Sequence, residues 1–128
     1  MILASRIGYK EKAHELYLRT SRLDLDDYNN EVAEGLHITS MAGTWMSVVQ
    51  GFGGKRVIDS KLHFEPMLPD HWSQLQYMVV WKGVRLQVSL DKDKMEVKNF
   101  SKVSCDFHVH GRPHKVAGGK KKMVQLND

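Results

Sequence analysis

The stretch Val84-Arg85-Leu86-Gln87-Val88-Ser89-Leu90 decides the fold of this chain. Its apolar residues recur at every second position with polar residues between them, which is the period of a strand with one buried face. Val103, Cys105, Phe107 and Val109 repeat the pattern around Ser104, Asp106 and His108. Outward from these runs, the spacing predicts strands at Val57–Ile58, Leu62–Phe64, Leu75–Trp81, Val84–Leu90, Met95–Val97 and Val103–Val109. Lys82-Gly83 and the run from Asp91 to Lys94 carry turn chemistry and predict hairpins. Pro66 and Pro69 bracket a loop before the first long strand. The second half of the chain therefore reads as a small antiparallel sheet or sandwich.

Before about residue 55 the apolar spacing becomes helical. Between Tyr9 and Leu23, the residues Ala13, Leu16, Tyr17 and Leu23 form a stripe opposite Lys10, Glu11, Lys12, Glu15 and Arg19. Glu15 and Arg19 are spaced to pair across one turn. Residues 2–7 read as the last turns of a preceding helix, stopped by Gly8. Asp24 to Gly35 has the composition of a loop. A second long helix is expected from Thr39 to Gln50, capped by Thr39 or Ser40 and ended by Gly51-Phe52-Gly53-Gly54. Met41, Ala42, Trp45, Met46, Val48 and Val49 make it apolar around much of its circumference, with Trp45 expected to pack inside the helix pair. Such helices cannot bury that surface alone. Either they pack on the β-domain or they belong to a larger helical assembly, and a fold that opens on the end of a helix is expected to be part of a larger one. The fold class is α+β, with residues 1–55 helical and 56–128 a β-domain.

The 128 residues suffice for one small domain or two pieces of a larger one, and the 41% apolar content is enough for a packed core. The net charge of +4 invites a nucleic-acid reading, but Lys120, Lys121 and Lys122 follow glycines near the C-terminus, where a lysine run reads as a solvated end, and no stacking motif accompanies them. No nucleic-acid partner is expected. The lone Cys105 falls in an alternating apolar run and reads as a buried structural thiol, compatible with a reducing, cytoplasmic location. No apolar run approaches the roughly 18 residues of a membrane helix, and Met1-Ile2-Leu3-Ala4-Ser5-Arg6 is too short for a signal peptide.

Chemistry concentrates in Glu34-Gly35-Leu36-His37-Ile38-Thr39-Ser40-Met41-Ala42-Gly43-Thr44-Trp45, a glycine-hinged loop that delivers a histidine and two hydroxyls to a helix start. Backbone N–H groups there favour an anion, and a phosphate-sized ligand would suit Gly35, His37, Thr39 and Ser40. On spacing alone, the plainer reading outweighs this one: Thr39 and Ser40 cap the helix and His37 packs or faces solvent. Asp24, Asp26, Asp27, Glu31 and Glu34 offer carboxylates, but nothing in their spacing separates a catalytic group from a polar turn. His108, His110 and His114 have metal-like spacing, with His108 and His110 expected on one strand face; two histidines on a solvated strand explain the pattern as well, and no metal is assigned. Trp45, Trp72 and Trp81 are possible sugar platforms, though Trp72 is expected to be buried under its loop.

Several of these stretches together resemble the C-terminal part of glycoside hydrolase family 65, most of all its maltose phosphorylases. They are Gly8-Tyr9-Lys10-Glu11-Lys12-Ala13, Tyr17-Leu18-Arg19-Thr20, Leu23-Asp24-Leu25-Asp26-Asp27-Tyr28-Asn29, Gly35 to Trp45, and Gln50-Gly51-Phe52-Gly53-Gly54. Leu68, Pro69 and Trp72 fit the family's entry into its C-terminal β-domain. The resemblance covers residues 2 to about 90 and weakens from Phe100 onward.

The resemblance implies the last helices of an (α/α)6 barrel followed by a β-sandwich. It implies an enzyme that cleaves an α-glucosidic disaccharide, maltose in the first instance, with inorganic phosphate and inversion, giving β-glucose 1-phosphate and glucose. A carboxylic acid protonates the leaving oxygen and phosphate itself attacks, so phosphate is a co-substrate and no cofactor is expected. The histidine that helps hold phosphate in the family maps onto His37, which raises the anion reading of His37, Thr39 and Ser40 above the capping one. The family's general-acid glutamate and the serine–glycine part of its phosphate site have no counterpart in this chain, so the chain alone is expected to be inactive and to hold no catalytic residue. Lys55 stands where near relatives have a methionine. The intact enzyme is expected to be a homodimer. A family 65 hydrolase, with Glu34 activating water, and a standalone β-sandwich interaction module are the alternatives.

Overall fold

The β-half of the chain forms two four-stranded sheets facing each other across one core. The computed structural model describes residues 1–27, 30, 33 and 35–126. The strands are β1 (Lys55–Ile58), β2 (Lys61–Phe64), β3 (Leu75–Trp81), β4 (Val84–Leu90), β5 (Lys94–Asn99), β6 (Cys105–Val109), β7 (Arg112–Val116) and β8 (Lys121–Gln125). One sheet has the order β1-β2-β6-β7, the other β3-β4-β5-β8. The alternation that opened the reading is realised residue by residue: Val84, Leu86, Val88 and Leu90 are buried, while Arg85 is exposed and Gln87 and Ser89 are half-buried. Phe64 and Phe107 meet edge to face across the other sheet, 6.0 Å between ring centres. Each such side chain, fully removed from water, contributes about 1.5–3 kcal/mol. Cys105 is a buried free thiol, and burial raises its pKa above the usual thiol value.

The helical half comprises α1 (Ile2–Arg6), α2 (Lys10–Ser21), α3 (Leu23–Asp26) and α4 (Ile38–Met46), the last running into a π-helical turn over Ser47–Phe52. Gly8 stops α1 with a positive φ of 80°, as its position foretold. The stripe on α2 buries Ala13 completely and half-buries Leu16 and Tyr17. The wide turn after α4, with the Gly53 N–H donating to the Val48 carbonyl at 2.8 Å, swings Val49 and Phe52 into buried positions.

Helices and sandwich meet at this turn. Phe52 lies edge-on to Tyr17 of α2 (5.4 Å) and to Trp72 of the β2–β3 loop (4.9 Å). Ser5 Oγ donates to the Gly51 carbonyl at 3.1 Å, Met67 N–H to the Phe52 carbonyl at 2.9 Å, and Tyr77 Oη to the Gly53 carbonyl at 3.0 Å. The Arg56 guanidinium donates to the Gln50 carbonyl. His14 of α2 stacks on His71, 4.4 Å between ring centres. At Gly54, φ is 65° and an added Cβ would lie 2.1 Å from the Glu65 carbonyl carbon, so glycine is required there.

The structure departs from the sequence expectation in several places, beginning with α3, which is helical where a loop was expected from Asp24, and α4, which gives way to the π-helical turn before Gln50. β7 and β8 were not foreseen, and the lysine run is no solvated end: Lys121 and Lys122 pair with Lys98 and Val97 of β5. Lysine on an edge strand blocks further strand addition, which reconciles the charge with the sheet. The β2–β6 ladder is parallel, so one sheet is mixed. β6 starts at Cys105 rather than Val103, which is exposed. Trp45 is not packed between helices but 59% exposed. Glu15 pairs with Lys12 at 2.8 Å rather than with Arg19.

Candidate functional site

His37 sits immediately before α4 and accepts, through its carbonyl, the N–H groups of Ser40 and Met41 at 2.9 and 3.1 Å. It is therefore the residue at the helix entrance, a place expected for Thr39 or Ser40. The helix has no side-chain cap. Thr39 and Ser40 lie inside its first turn, Thr39 exposed and Ser40 half-buried, and neither hydroxyl has a hydrogen-bond partner among the described residues. The capping role is thus not theirs. The chain reaches this point through Gly35, whose φ of 101° needs a residue without a side chain.

Asp24, at the start of α3, grips His37 twice. One carboxylate oxygen lies 2.5 Å from Nδ1, and the other accepts the His37 backbone N–H at 3.1 Å. The two side chains are largely enclosed, His37 26% and Asp24 18% exposed. The hydrogen bond from the His37 ring holds the Asp24 carboxyl below the ordinary carboxylate value; partial burial opposes this, and the backbone bond and the ring's charge add to it. Asp24 therefore fixes both the position and the orientation of the imidazole, with Nε2 directed away from the carboxylate.

Asp24 was one of five acids in the sequence without a distinguishing signal, and thirteen residues separate it from His37. The folded chain brings α3 and the entrance of α4 together at this contact. Of the others, Asp26 pairs with Arg22 through two bonds of 2.7 Å, and Asp27 occupies a left-handed position after α3. Glu31 and Glu34 lie outside the described residues. His108 and His110 do not share the expected strand face. His110 is in the tight turn after β6 with φ 47°, His108 stacks on His63 at 4.4 Å, and His114 lies beside Phe107, where burial lowers its pKa. Trp72 is half-buried under its loop as expected.

His37, Thr39 and Ser40 form one wall only. Cavities of about 600, 460 and 430 Å³ lie against the sandwich and include none of these three residues. Around the wall, Leu36, Ile38, Met41, Trp45 and Met46 leave a broad apolar surface in solvent.

Two family models match the chain. Residues 1–46 match the glycosyl hydrolase family 65 central catalytic domain, and residues 56–116 match the glycosyl hydrolase family 65 C-terminal domain. An α,α-trehalose phosphorylase of Thermoanaerobacter brockii is 51% identical over 94 residues, which is 73% of this chain and 12% of that protein. A maltose phosphorylase of Bacillus subtilis (strain 168) is 43% identical over the same coverage. A solved human-microbiome protein, described provisionally as a kojibiose phosphorylase, superimposes with a TM-score of 0.89 at 34% identity, covering 97% of this chain and 16% of that one. The chain thus spans about an eighth of the length of these curated relatives. No helix among the described residues is long and apolar enough to cross a membrane. From its helices through its sandwich, the chain belongs to glycoside hydrolase family 65, spanning the end of the central catalytic domain and the C-terminal domain.

Proposed function

We propose that this chain supplies the phosphate-side wall of an inverting disaccharide phosphorylase. In that reading residues 1–55 are the last helices of an (α/α)6 barrel and residues 56–128 its C-terminal β-sandwich. The observation that carries it is the Asp24 carboxylate fixing His37 at the entrance of α4, beside first-turn hydroxyls with no partner among the described residues. A carboxylate beside an imidazole stabilises the doubly protonated ring. That form presents an N–H on Nε2, and with the helix start and the Thr39 and Ser40 hydroxyls it makes a donor surface suited to phosphate.

In the reaction, one phosphate oxygen attacks the anomeric carbon from the face opposite the glucosidic oxygen. The leaving oxygen takes a proton from a carboxylic acid outside this chain, and β-glucose 1-phosphate and a free sugar result. His37, Thr39 and Ser40 orient the nucleophile and spread its charge; none of them exchanges a bond. This chain alone is inactive in that reading, because it holds one wall of the pocket. The exposed Leu3 of α1, Ile7 just after it, and Ile38, Met41 and Trp45 of α4 support a helical assembly around the wall rather than a standalone interaction module. A cytoplasmic homodimer that takes phosphate as co-substrate and needs no cofactor completes the reading.

Maltose is the substrate that the sequence resemblance favours. The 51% identity to a trehalose phosphorylase supports trehalose as a second reading. The test is His37→Ala in the intact enzyme, assayed with each disaccharide against varied phosphate. We expect KM for phosphate to rise at least about tenfold, the equivalent of one charged hydrogen bond, with KM for the disaccharide little changed. Unaltered phosphate dependence overturns the role of His37, and turnover without phosphate overturns phosphorolysis in favour of hydrolysis.

A further inference from the structure

A cavity of about 600 Å³ lies at one end of the β3-β4-β5-β8 sheet, with no residue of α3 or α4 in its lining. Its size is that of a small-molecule site. A row of side chains crosses the sheet into it: Gln76 of β3 opposite Ser89 of β4, Ser89 opposite Glu96 of β5, and Glu96 opposite Met123 of β8. Because partners directly across neighbouring strands share a face, the four functional groups line up.

The row is wired. Gln87 Nε2 donates to Ser89 Oγ at 3.3 Å, and Ser89 Oγ donates to Gln76 Oε1 at 3.1 Å. This spends the Gln76 carbonyl and turns its amide donor away from the bond, and that donor has no partner among the described residues. Glu96 holds Lys121 through one oxygen at 3.0 Å, leaving the other as an acceptor. Trp72 closes the inner end. One side of its indole rests edge-on against Tyr17 and Phe52, and the rest lines the cavity.

We propose that this cavity binds a neutral gluco-oligosaccharide, at a position separate from the phosphate-side wall. An aromatic surface beside a fixed donor, the Gln76 amide, and a fixed acceptor, the second Glu96 oxygen, matches a sugar, whose ring has apolar faces and a rim of hydroxyls that both donate and accept. The charges select against an anion. Asp91 and Glu96 stand against Lys94 within the lining, and Lys121 is already committed to Glu96. A phosphate-bearing sugar would meet two carboxylates for one lining cation. The site would hold the enzyme on, or beside, the oligosaccharide pool from which shorter substrates are released by hydrolysis of longer chains.

The proposal does not depend on the role of His37, and the experiment separates the two. Maltotetraose is titrated into the full chain, followed by Trp fluorescence and by backbone and indole amide shifts. Saturable shifts at Trp72, Gln76, Ser89 and Glu96 are expected, with inorganic phosphate failing to compete. Gln76→Ala and Glu96→Gln, both at solvent-accessible positions, should each weaken binding about tenfold, the share of one well-placed polar contact. Trp72→Phe keeps a ring against Phe52 and should weaken binding without unfolding the chain. His37→Ala should leave binding unchanged. The absence of saturable shifts, shifts that survive in Gln76→Ala and Glu96→Gln together, or loss of binding in His37→Ala would each overturn the proposal.

Discussion

Replacing Phe52 by alanine tests how the two halves of the chain are held together. Phe52 is completely buried, and its ring is clasped edge-on between Tyr17 of α2 and Trp72 of the β2–β3 loop. Removing a buried phenyl group costs about 3–5 kcal/mol when the cavity cannot collapse. Here collapse is opposed from both sides. Tyr17 is fixed on a helix, and the Phe52 backbone is tied down by Met67 N–H. Each edge-to-face contact is worth about 0.5–1.5 kcal/mol beyond area burial, so the upper half of that range applies. That is a large part of the ~5–15 kcal/mol by which a domain is stable. Urea unfolding would be followed by Trp fluorescence, in which Trp72 at the junction is one of three contributors with Trp45 and Trp81, and by far-UV circular dichroism. Wild type should lose both signals together. Phe52→Ala should unfold at much lower urea, with the helical signal leaving before the sheet signal. Val103→Ala, at an exposed site, should change stability by less than about 0.5 kcal/mol. A Phe52→Ala cost below about 1 kcal/mol would refute the view that this ring couples helices to sandwich.

Three further outcomes follow from the same geometry. The Asp24 and Asp91 carboxyls have folded-state pKa values below their unfolded ones, Asp24 through the His37 ring and Asp91 through the backbone N–H groups of Asp93 and Lys94; both contributions are present above the ordinary value of about 4 and are lost as pH falls through the depressed values, so urea midpoints should drop below pH ~4 and Asp24→Asn should drop less steeply. Tyr77 is shifted the other way, burial raising its pKa against the opposing charge of Arg56; its contribution is intact below the ordinary pKa of about 10 and lost as pH rises toward the raised one, so phenolate absorbance should show one of the tyrosines titrating late, and Tyr77→Phe should remove that step. Gly54→Ala forces a left-handed alanine into contact with the Glu65 carbonyl and should cost about 2–5 kcal/mol by chemical denaturation; a neutral result would mean that the Gly54–Glu65 approach is not maintained in solution.

The sandwich core was legible because burial on one face leaves a period of two, and Val84 to Leu90 and Cys105 to Val109 carry it without interruption. β7 was not, since of Arg112-Pro113-His114-Lys115-Val116 only Val116 is fully buried, and its identity as a strand comes from pairing with β6 rather than from its own pattern. β8 was hidden for the same reason: an edge strand rich in lysine and a solvated terminus have the same composition, and only the partner strand separates them. At the site, His37 was legible from its setting between Gly35 and a helix. Asp24 was not, because the contact is tertiary and joins α3 to a residue thirteen positions away. Trp45 was misread because apolar character reveals the need for a partner but not which part of a protein supplies it.

The parallel ladder between β2 and β6 constrains the order in which the molecule assembles. His63 faces His108 and Phe64 faces Val109 across forty-five residues of chain, whereas β3, β4 and β5 are joined by short hairpins. Closing a long loop carries an entropic cost before its contacts repay it, while local hairpins form within microseconds. The β3-β4-β5 meander is therefore the natural nucleus, and the β1–β2 hairpin stays an open-edged ribbon until β6 has emerged and docked beside it. Since β1 follows directly from the turn that bears Phe52, the helices acquire their final anchorage last. In this chain the wall that carries His37 is set in place by a strand synthesised some seventy residues later.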